Sequence, residues 1–415
     1  MVDLQEVVSE KLHWKCDYYI CDYFSSDLDN INKDSLEFKN IVWRKRFMQL
    51  HVNEVAFRGK TDLPSEVKKL KTPIDFFTYF FTDELFELIY METNRAAITE
   101  NVNTSFKVDK YEIRRYIGVL TFMSIFRYPN TESYWSEYGF KNIPNCMSKN
   151  KFEQIRKYLS FNDESQRVKK GCAGYDPLFR IRKVAGYLVE RFDSIPKNAR
   201  LCVDEQMCST KMAHHLRQYL PDKPHPWGVK FFVLCDTNGY AYRFEIYSGS
   251  SNHDIILPGT PDIGATGNVV IRLSQTVPNF VNHILYFDNF YTSLPLLVYL
   301  RARGIYSLGT VRANRIPKCK LPTDKSEELK KAPRGYSTEF VATAYGADIS
   351  NVSLLFNKIQ SLENLLRETQ AQVHNNNQRS STYQLVEPAH SSTHNIVTNL
   401  LANPLICNLL LSSNH

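Results

Sequence analysis

The chain lacks a long uninterrupted apolar run, an apolar leader and cysteines in paired spacing. Its most apolar stretch, residues 396–411, is interrupted by three asparagines and a proline, so it is too short and too broken to span a bilayer. Residues 1–6 are acidic rather than apolar, which argues against a signal peptide. The 9 cysteines show no zinc-knuckle spacing, and their odd, scattered occurrence favours a protein that works inside the cell.

Neither sign of charge dominates the chain. The 415 residues include 51 Lys and Arg against 44 Asp and Glu, which gives a formal net charge of +7. Such a mildly basic balance is compatible with a DNA partner but does not establish one. With 43% hydrophobic and 13% aromatic residues, the sequence predicts a sizeable core divided between two or three domains.

Two acids stand at the ends of apolar runs. His283–Phe287 leads into Asp288, and helix-forming residues follow. A carboxylate at the end of a buried strand is well placed to hold a catalytic metal, since the strand fixes it and the next loop leaves room for substrate. The alternative is that Asp288 caps the helix that begins near Ser293. Asp204 ends a second apolar run, Leu201–Val203, in the same way, which favours the metal-site interpretation.

The elements between and after these acids have a defined order. The patterns predict strands at 228–235 and 240–247 joined by a tight turn at 236–239, a helix at 269–277, the Asp288 strand, a helix at 293–303 ended by Gly304, and a strand at 305–311. This is the order of a ribonuclease-H-like fold, in which the two acid-bearing strands lie side by side. Upstream, helical periodicity occurs at 74–91, 111–126, 152–159 and 182–192. The predicted fold class is therefore α/β, with a ribonuclease-H-like mixed sheet core preceded by a mainly helical domain and followed by an irregular C-terminal tail.

Several segments, in one order, resemble the core motifs of piggyBac transposases and most of all those of piggyBac transposable element-derived proteins. The central motifs are Asp204-Glu205-Gln206, Gln218 to Pro224, Trp227 to Lys230, Tyr286 to Ser293 and Gly309 to Arg315. Upstream segments at 72–77, 81–85 and 147–153 agree, so the resemblance runs from Thr72 to Asn357. So many matches in one order are far more specific than a single short motif.

The resemblance implies DDE-type chemistry on double-stranded DNA. In the family, three acids hold two divalent metal ions, Mg²⁺ or Mn²⁺, which activate water or a DNA 3′-hydroxyl and stabilise the leaving oxygen. By this resemblance Asp204 is the first acid and Asp288 the second. Arg312, Arg315 and Lys230 are candidate DNA-binding residues because cationic side chains near the motifs suit phosphate. A nuclear location follows from a DNA substrate, and the helical region would serve DNA binding and dimerisation, with a homodimer as the candidate assembly.

The third acid is where this chain departs from the family. In the family it lies in a Gly-Gly-Val-Asp stretch, and the 415 residues contain no such stretch. Asp348 makes a last match, but the corresponding family residue is not catalytic, and a solvated turn is the favoured interpretation. Glu363 and Glu368 could replace the missing acid, although nothing in their context supports it. The third catalytic acid is therefore unknown, and the sequence predicts an incomplete two-metal site with weak or no transposition activity.

The departures from the family also affect the predicted domain organisation of the chain. The predicted domains are an N-terminal, partly flexible segment at 1–71, a helical dimerisation and DNA-binding-like domain at 72–197, an incomplete ribonuclease-H-like domain at 198–357, and a divergent, partly disordered tail at 358–415. The Cys-rich zinc module of the family is not found, which predicts weak binding to specific transposon ends. The tail fits either a shortened host protein or a gene model that reads into unrelated sequence. An active transposase, a domesticated inactive DNA-binding protein and a product with no selected role remain as alternatives.

Overall fold

A computed structural model describes residues 31, 34, 36–48, 52–126, 128–210, 214–221, 223, 225–249, 255–322 and 336–354. The helices are α1 (Leu36–Lys39), α2 (Val52–Val55), α3 (Ser65–Lys68), α4 (Pro73–Phe80), α5 (Asp83–Glu100), α6 (Lys110–Ile125), α7 (Asn142–Cys146), α8 (Lys149–Tyr158), α9 (Phe179–Asp193), α10 (Ala265–Ser274) and α11 (Leu294–Ala302). Short 3₁₀ turns lie at Glu132–Trp135, Glu164–Gln166 and Ala313–Arg315. The helices before the first long strand confirm the predicted helical region.

Strands form both antiparallel and parallel pairs. They are β1 (Arg44–Lys45), β2 (Arg200–Ser209), β3 (Arg217–Tyr219), β4 (Trp227–Asp236), β5 (Ala241–Ile246), β6 (Ile284–Phe287), β7 (Tyr306–Gly309), β8 (Ser337–Ala344) and β9 (Ala347–Leu354). Antiparallel β4 pairs with β2, β3 and β5, whereas β6 and β7 run parallel. This combination of helices with mixed strand pairing is the predicted α/β class.

The described residues group into two compact units. Unit one holds the residues up to Gly59, those from 255 to Arg272, and those from Val277 onward. Unit two holds the residues from Lys60 to Gly249 together with Leu273–Thr276. Units defined by compactness do not test the boundaries proposed from sequence, so the four predicted domains stay a prediction.

The core of unit two joins helix and hairpin through aromatic rings. Phe80 at the end of α4 meets Phe192 of α9 edge-on, with ring centroids 5.2 Å apart. Tyr240 lies beside the same ring of Phe80 and donates its hydroxyl to the backbone carbonyl of Phe192 at 3.0 Å. All three side chains are buried, so the contact fixes α9 on the β4–β5 hairpin.

Capping boxes start two helices of unit two. Thr72 and Asp75 exchange hydrogen bonds between side chain and backbone at the start of α4, where Pro73 occupies the first helical position. Asp109 and Glu112 do the same at the start of α6, with the Glu112 amide 2.7 Å from the Asp109 carboxylate. These pairs satisfy backbone N–H groups that a helix leaves unbonded, so the sequence fixes both start points locally.

The predicted single helix over 74–91 is wrong. The chain leaves the helical conformation at Phe81, with φ −101° and ψ 79°, and Thr82 is extended before α5 begins. Phe81 is fully buried, and its ring stacks on that of Phe77 at 4.7 Å. Because a buried ring at the break keeps the apolar spacing of a helix, the pattern hides the interruption.

The predicted hairpin is confirmed, and a buried carboxylate closes it. Asp236 Oδ1 accepts hydrogen bonds from the amides of Asn238 and Tyr240, each at 2.9 Å. Its Oδ2 accepts from the Asn198 side-chain amide and, at 3.4 Å, from the Tyr242 hydroxyl. Burial, followed by the neighbouring Asp236 carboxylate, raises the pKa of Tyr242 above its ordinary value. The turn is therefore held by side chains as well as by its Asn-Gly sequence.

In unit one, the strand ending before Asp288, the helix after it and the next strand are confirmed as β6, α11 and β7. The predicted helix at 269–277 is displaced, since α10 spans Ala265–Ser274. Asp262 explains the early start: its Oδ1 accepts from the Gly264 amide at 3.0 Å and from the Asn268 side chain at 2.9 Å. These bonds anchor the loop to the first turns of α10.

The hairpin β8–β9 is an element that the sequence analysis did not predict. Tyr345 and Gly346 both take positive φ, 48° and 71°, which suits a tight hairpin turn. Strand β1 pairs with β8, which ties the N-terminal residues into the same small sheet. Asp348 is exposed to solvent, as expected, but it lies in β9 and not in a turn, and its carboxylate lies 3.1 Å from Arg46 Nη2.

Two regions named in the sequence analysis lie outside the described residues. They are the acidic N-terminal segment and the tail that carries Glu363 and Glu368. Across the part of the chain that is described, no helix combines the length and apolarity needed to cross a membrane.

Candidate functional site

The expectation that Asp204 ends its strand, as Asp288 does, is wrong, because β2 continues to Ser209. Asp204 lies in the middle of β2 on its more exposed face. Strand alternation buries Leu201 and Val203 completely and turns Cys202 and Asp204 to the other side. The carboxylate is exposed, and its Oδ1 accepts a hydrogen bond from the Glu205 amide at 2.8 Å. The buried face of the strand thus anchors an acid that stays accessible to a ligand.

Glu205 follows Asp204 but points to the opposite face. Its Oε1 lies 3.4 Å from Lys223 Nζ. Its Oε2 is buried and meets no hydrogen-bond partner among the described residues. Because adjacent strand residues point to opposite faces, Glu205 does not join Asp204 as a second ligand of one metal ion.

The thiols beside Asp204 form a cross-strand pair. Cys202 of β2 is directly opposite Cys235 of β4, and the two side chains are hydrogen-bonded. That hydrogen bond, followed by burial, raises the pKa of the Cys235 thiol. Both residues lie in strands and are half-buried.

Asp288 immediately follows β6, and its carboxylate is exposed. Oδ1 accepts from the Phe290 amide at 2.8 Å, and the backbone carbonyl accepts from the amides of Tyr291 and Thr292. The helix-cap alternative is wrong, because Ser293 caps α11 by accepting a hydrogen bond from the Leu296 amide. Asp288 is therefore the first residue of a hydrogen-bonded turn that lies between β6 and α11.

Arg315 holds the loop that follows Asp288. Its Nη1 donates to the backbone carbonyls of Asn289 at 3.0 Å, Phe290 at 2.9 Å and Thr292 at 3.0 Å. Arg312 adds a hydrogen bond from Nε to Asn289 Oδ1 at 3.1 Å and is itself exposed. We call these contacts the loop clamp. No local sequence pattern predicts the loop clamp, because its hydrogen bonds join residues more than twenty positions apart.

Lys230 occupies a half-buried position on β4. Its Nζ lies 4.7 Å from the ring centroid of Phe232 and 5.9 Å from that of Tyr247. Rings of this kind stabilise an ammonium group by their negative faces. Phosphate contacts by Lys230, Arg312 and Arg315 stay predictions, and the structure gives Arg315 a second role in positioning the loop.

The two predicted metal ligands belong to different compact units. Asp204 is in unit two and Asp288 in unit one, so their joint binding of a metal stays a prediction. Among the residues that can be described, no group of three or more His, Cys, Asp or Glu side chains is placed to hold a metal ion. Hard carboxylate oxygens suit Mg²⁺, so each acid fits as a ligand, whereas a third ligand is not provided within the described ranges.

Residues 72–395 match the protein family described as Transposase IS4. Human PiggyBac transposable element-derived protein 2 is 27% identical over 309 residues, which cover 71% of this chain and 48% of that protein. Human PiggyBac transposable element-derived protein 3 is 26% identical over 301 residues, with 71% and 48% covered. The predicted resemblance is confirmed, and the chain spans about half the length of these relatives.

Among solved structures, the cryo-EM structure of the piggyBac transposase synaptic complex with hairpin DNA has a similar fold. The TM-score is 0.59, with 86% of this chain and 77% of that chain covered. Because the sequence identity is only 19%, the likeness concerns the fold alone. It confirms the predicted α/β fold class.

Proposed function

Because the chain belongs to the Transposase IS4 family, we propose that it derives from a DDE-type piggyBac transposase and keeps two of the three carboxylates of a DNA-cleaving site. The proposed substrate is double-stranded DNA, and the proposed location is the nucleus. The proposed assembly is a homodimer through the helical region.

The observation that carries this proposal is the placement of the two acids. Asp204 is exposed on a strand whose other face is buried, and Asp288 is exposed at the first position after a strand. Carboxylates held by rigid strands and open to solvent are suited to hard divalent cations. Bound Mg²⁺ or Mn²⁺ would supply Lewis acidity for phosphodiester cleavage.

The surrounding residues take supporting roles. The Phe290 amide orients the Asp288 carboxylate, and the loop clamp of Arg315 fixes the backbone on which that amide lies. Arg312, exposed beside the loop, and Lys230 on β4 would contact DNA phosphates. Positioning matters because a displacement of about 1 Å can cost on the order of a hundredfold in rate.

The 415-residue chain is proposed to cleave DNA weakly or not at all. Its sequence contains no Gly-Gly-Val-Asp stretch, and no cluster of three metal-binding side chains occurs within the described residues. A two-metal site with two carboxylates binds its second metal poorly. The same observations favour a second candidate function, a domesticated and catalytically inactive DNA-binding or chromatin-associated protein.

A nicking assay on supercoiled plasmid with Mn²⁺ or Mg²⁺ tests the enzymatic proposal. We expect slow metal-dependent nicking that falls on the order of a hundredfold in Asp204→Asn and in Asp288→Asn. Glu137→Gln in unit two and Glu54→Gln in unit one are matched controls, because each removes the charge of an exposed acid outside the site.

The outcomes separate the two candidates. Metal-dependent nicking that survives both Asp variants would show that these residues do not carry the chemistry. Duplex binding without any nicking would favour the inactive DNA-binding protein. A chain that neither binds nor nicks duplex DNA would refute both proposals.

A further inference from the structure

Two aromatic rings lie side by side and exposed where β3 pairs with β4. Tyr219 and Trp227 are direct partners across these antiparallel strands. Their ring centroids are 4.7 Å apart with planes inclined by 43°. Tyr219 is 54% exposed and Trp227 is 47% exposed, so about half of each side chain stays open to solvent.

A cation adjoins the rings. Arg217 lies two residues before Tyr219 in β3, on the same face of the strand. Its guanidinium carbon is 4.4 Å from the ring centroid of Trp227, within the range of a cation–π contact. We call Arg217, Tyr219 and Trp227 the aromatic platform, and all three lie within unit two.

Strand pairing alone does not account for this exposure. Val229 lies two residues after Trp227 on the same face of β4 and is buried. The apolar contacts of this face are therefore made at Val229, and Trp227 stays exposed. Strand β3 has only three residues and is the end strand of its sheet among those described. A large ring that only stabilised the hairpin would be expected to bury more of its surface.

The combination of exposed π-faces and a guanidinium group suits a specific class of ligand. Unpaired nucleobases stack on aromatic side chains whatever their sequence, and an adjacent cation attracts the phosphate that joins them. In a duplex the base faces are covered by neighbouring base pairs, so a ring of this kind has little to stack on. The net charge of +7 is compatible with a polyanionic ligand of this class.

We propose that the aromatic platform binds single-stranded DNA by stacking unpaired bases on Trp227 and Tyr219, with a backbone phosphate beside Arg217. This inference rests on the proposed function in that it takes DNA as the ligand, and it extends that function to strands that are unpaired. Neither Asp204 nor Asp288 takes part in this contact.

Binding of a fluorescein-labelled oligo(dT) to the full chain, measured by anisotropy in EDTA, tests the proposal. Trp227→Ala and Tyr219→Ala should each raise the Kd for oligo(dT) about 5- to 150-fold, the range expected for loss of one base–aromatic stack. Trp227→Phe keeps a ring and should stay close to the unaltered chain. Arg217→Gln should weaken binding and reduce its salt dependence.

Tyr138→Ala is the matched control, because this ring is 88% exposed and lies outside the platform. A duplex of the same length is the second control and should bind the Trp227→Ala variant as well as the unaltered chain. Circular dichroism and thermal melting establish that each variant is folded. If Trp227→Ala fails to fold, Trp227→Phe compared with Trp227→Leu, which fills space without an aromatic face, gives the same contrast.

Two results would overturn the proposal that the aromatic platform binds single-stranded DNA. One is unchanged oligo(dT) affinity in folded Trp227→Ala and Tyr219→Ala. The other is an equal loss of single-strand and duplex affinity, which would indicate a general effect on the fold or the charge. Because EDTA removes the metal, loss of the proposed cleavage activity leaves this experiment unaffected, and the two proposals fail separately.

Discussion

The loop clamp predicts that Arg315 acts on Asp288 through the backbone. In Arg315→Ala, the carbonyls of Asn289, Phe290 and Thr292 lose their shared donor. A hydrogen bond to a charged group contributes about 1.5–3 kcal/mol. Three acceptors share one nitrogen, and water reaches this half-buried site, so we take the value of a single bond for the whole clamp. Opening of the loop should then become about 10- to 150-fold more frequent.

Amide hydrogen exchange measures that opening directly. The amides of Phe290, Tyr291 and Thr292 are hydrogen-bonded to Asp288 while the loop is closed. Their exchange should accelerate by the same factor in Arg315→Ala, whereas amides of the buried strand β6 should change much less. Arg315→Lys should be intermediate, because an ammonium group cannot reproduce the planar guanidinium.

Lys320→Ala is the control, since it removes an exposed positive charge a few residues away. The reasoning is refuted if Arg315→Ala leaves loop exchange unchanged and only weakens DNA binding. That outcome would make Arg315 a phosphate contact, as the sequence alone suggested. Faster exchange with unchanged DNA affinity would make it a positioning residue.

Two further perturbations address stability. Asp236→Ala should lower the free energy of unfolding by about 3 kcal/mol or more, because it leaves buried donors unpaired, and Asp236→Asn should cost clearly less in urea unfolding. Equal losses in the two variants would contradict the role of the acceptor oxygen. Burial, with the charges of His215 and Arg180, lowers the pKa of His214 to about 4 from the ordinary 6.5. Stability from this shift is present above pH 6.5 and is lost as the pH falls towards 4. His214→Asn, which keeps an acceptor for the Leu216 amide, should therefore lose less Tm between about pH 7 and about pH 4.5, and an unchanged loss would exclude His214 as the cause.

The sequence predicted secondary structure well where its signals are local. Asn238-Gly239 marks the hairpin turn, and Gly304, with φ +68°, ends α11 where the pattern placed the helix end. Both acids were proposed as metal ligands because each follows an apolar run, a contiguous pattern, although only Asp288 comes directly after its strand. At Asp288 the local pattern is ambiguous, because a helix cap by Ser293 and a helix cap by Asp288 look alike until the backbone is known.

Features built from distant residues were not predictable. The loop clamp joins Arg315 to carbonyls that carry no side-chain signal. Exposure of Trp227 depends on what covers the strand, and a Trp in a strand pattern is ordinarily assigned to the core. The β8–β9 hairpin was missed because its turn, Tyr345-Gly346, is a less familiar pair than Asn-Gly, although both positions take positive φ.

The pairing of β1 with β8 has a consequence for the order of synthesis. Arg46, just after β1, meets Asp348 across 302 positions of the chain. At roughly 5–20 residues per second, the ribosome delivers the partner strand about 15–60 s after β1 is made. During that interval Arg44–Lys45 cannot form its native pairing. Both residues of β1 are charged, and charged side chains on an unpaired strand oppose pairing with other chains. The sequence of β1 therefore disfavours aggregation until β8 has been synthesised.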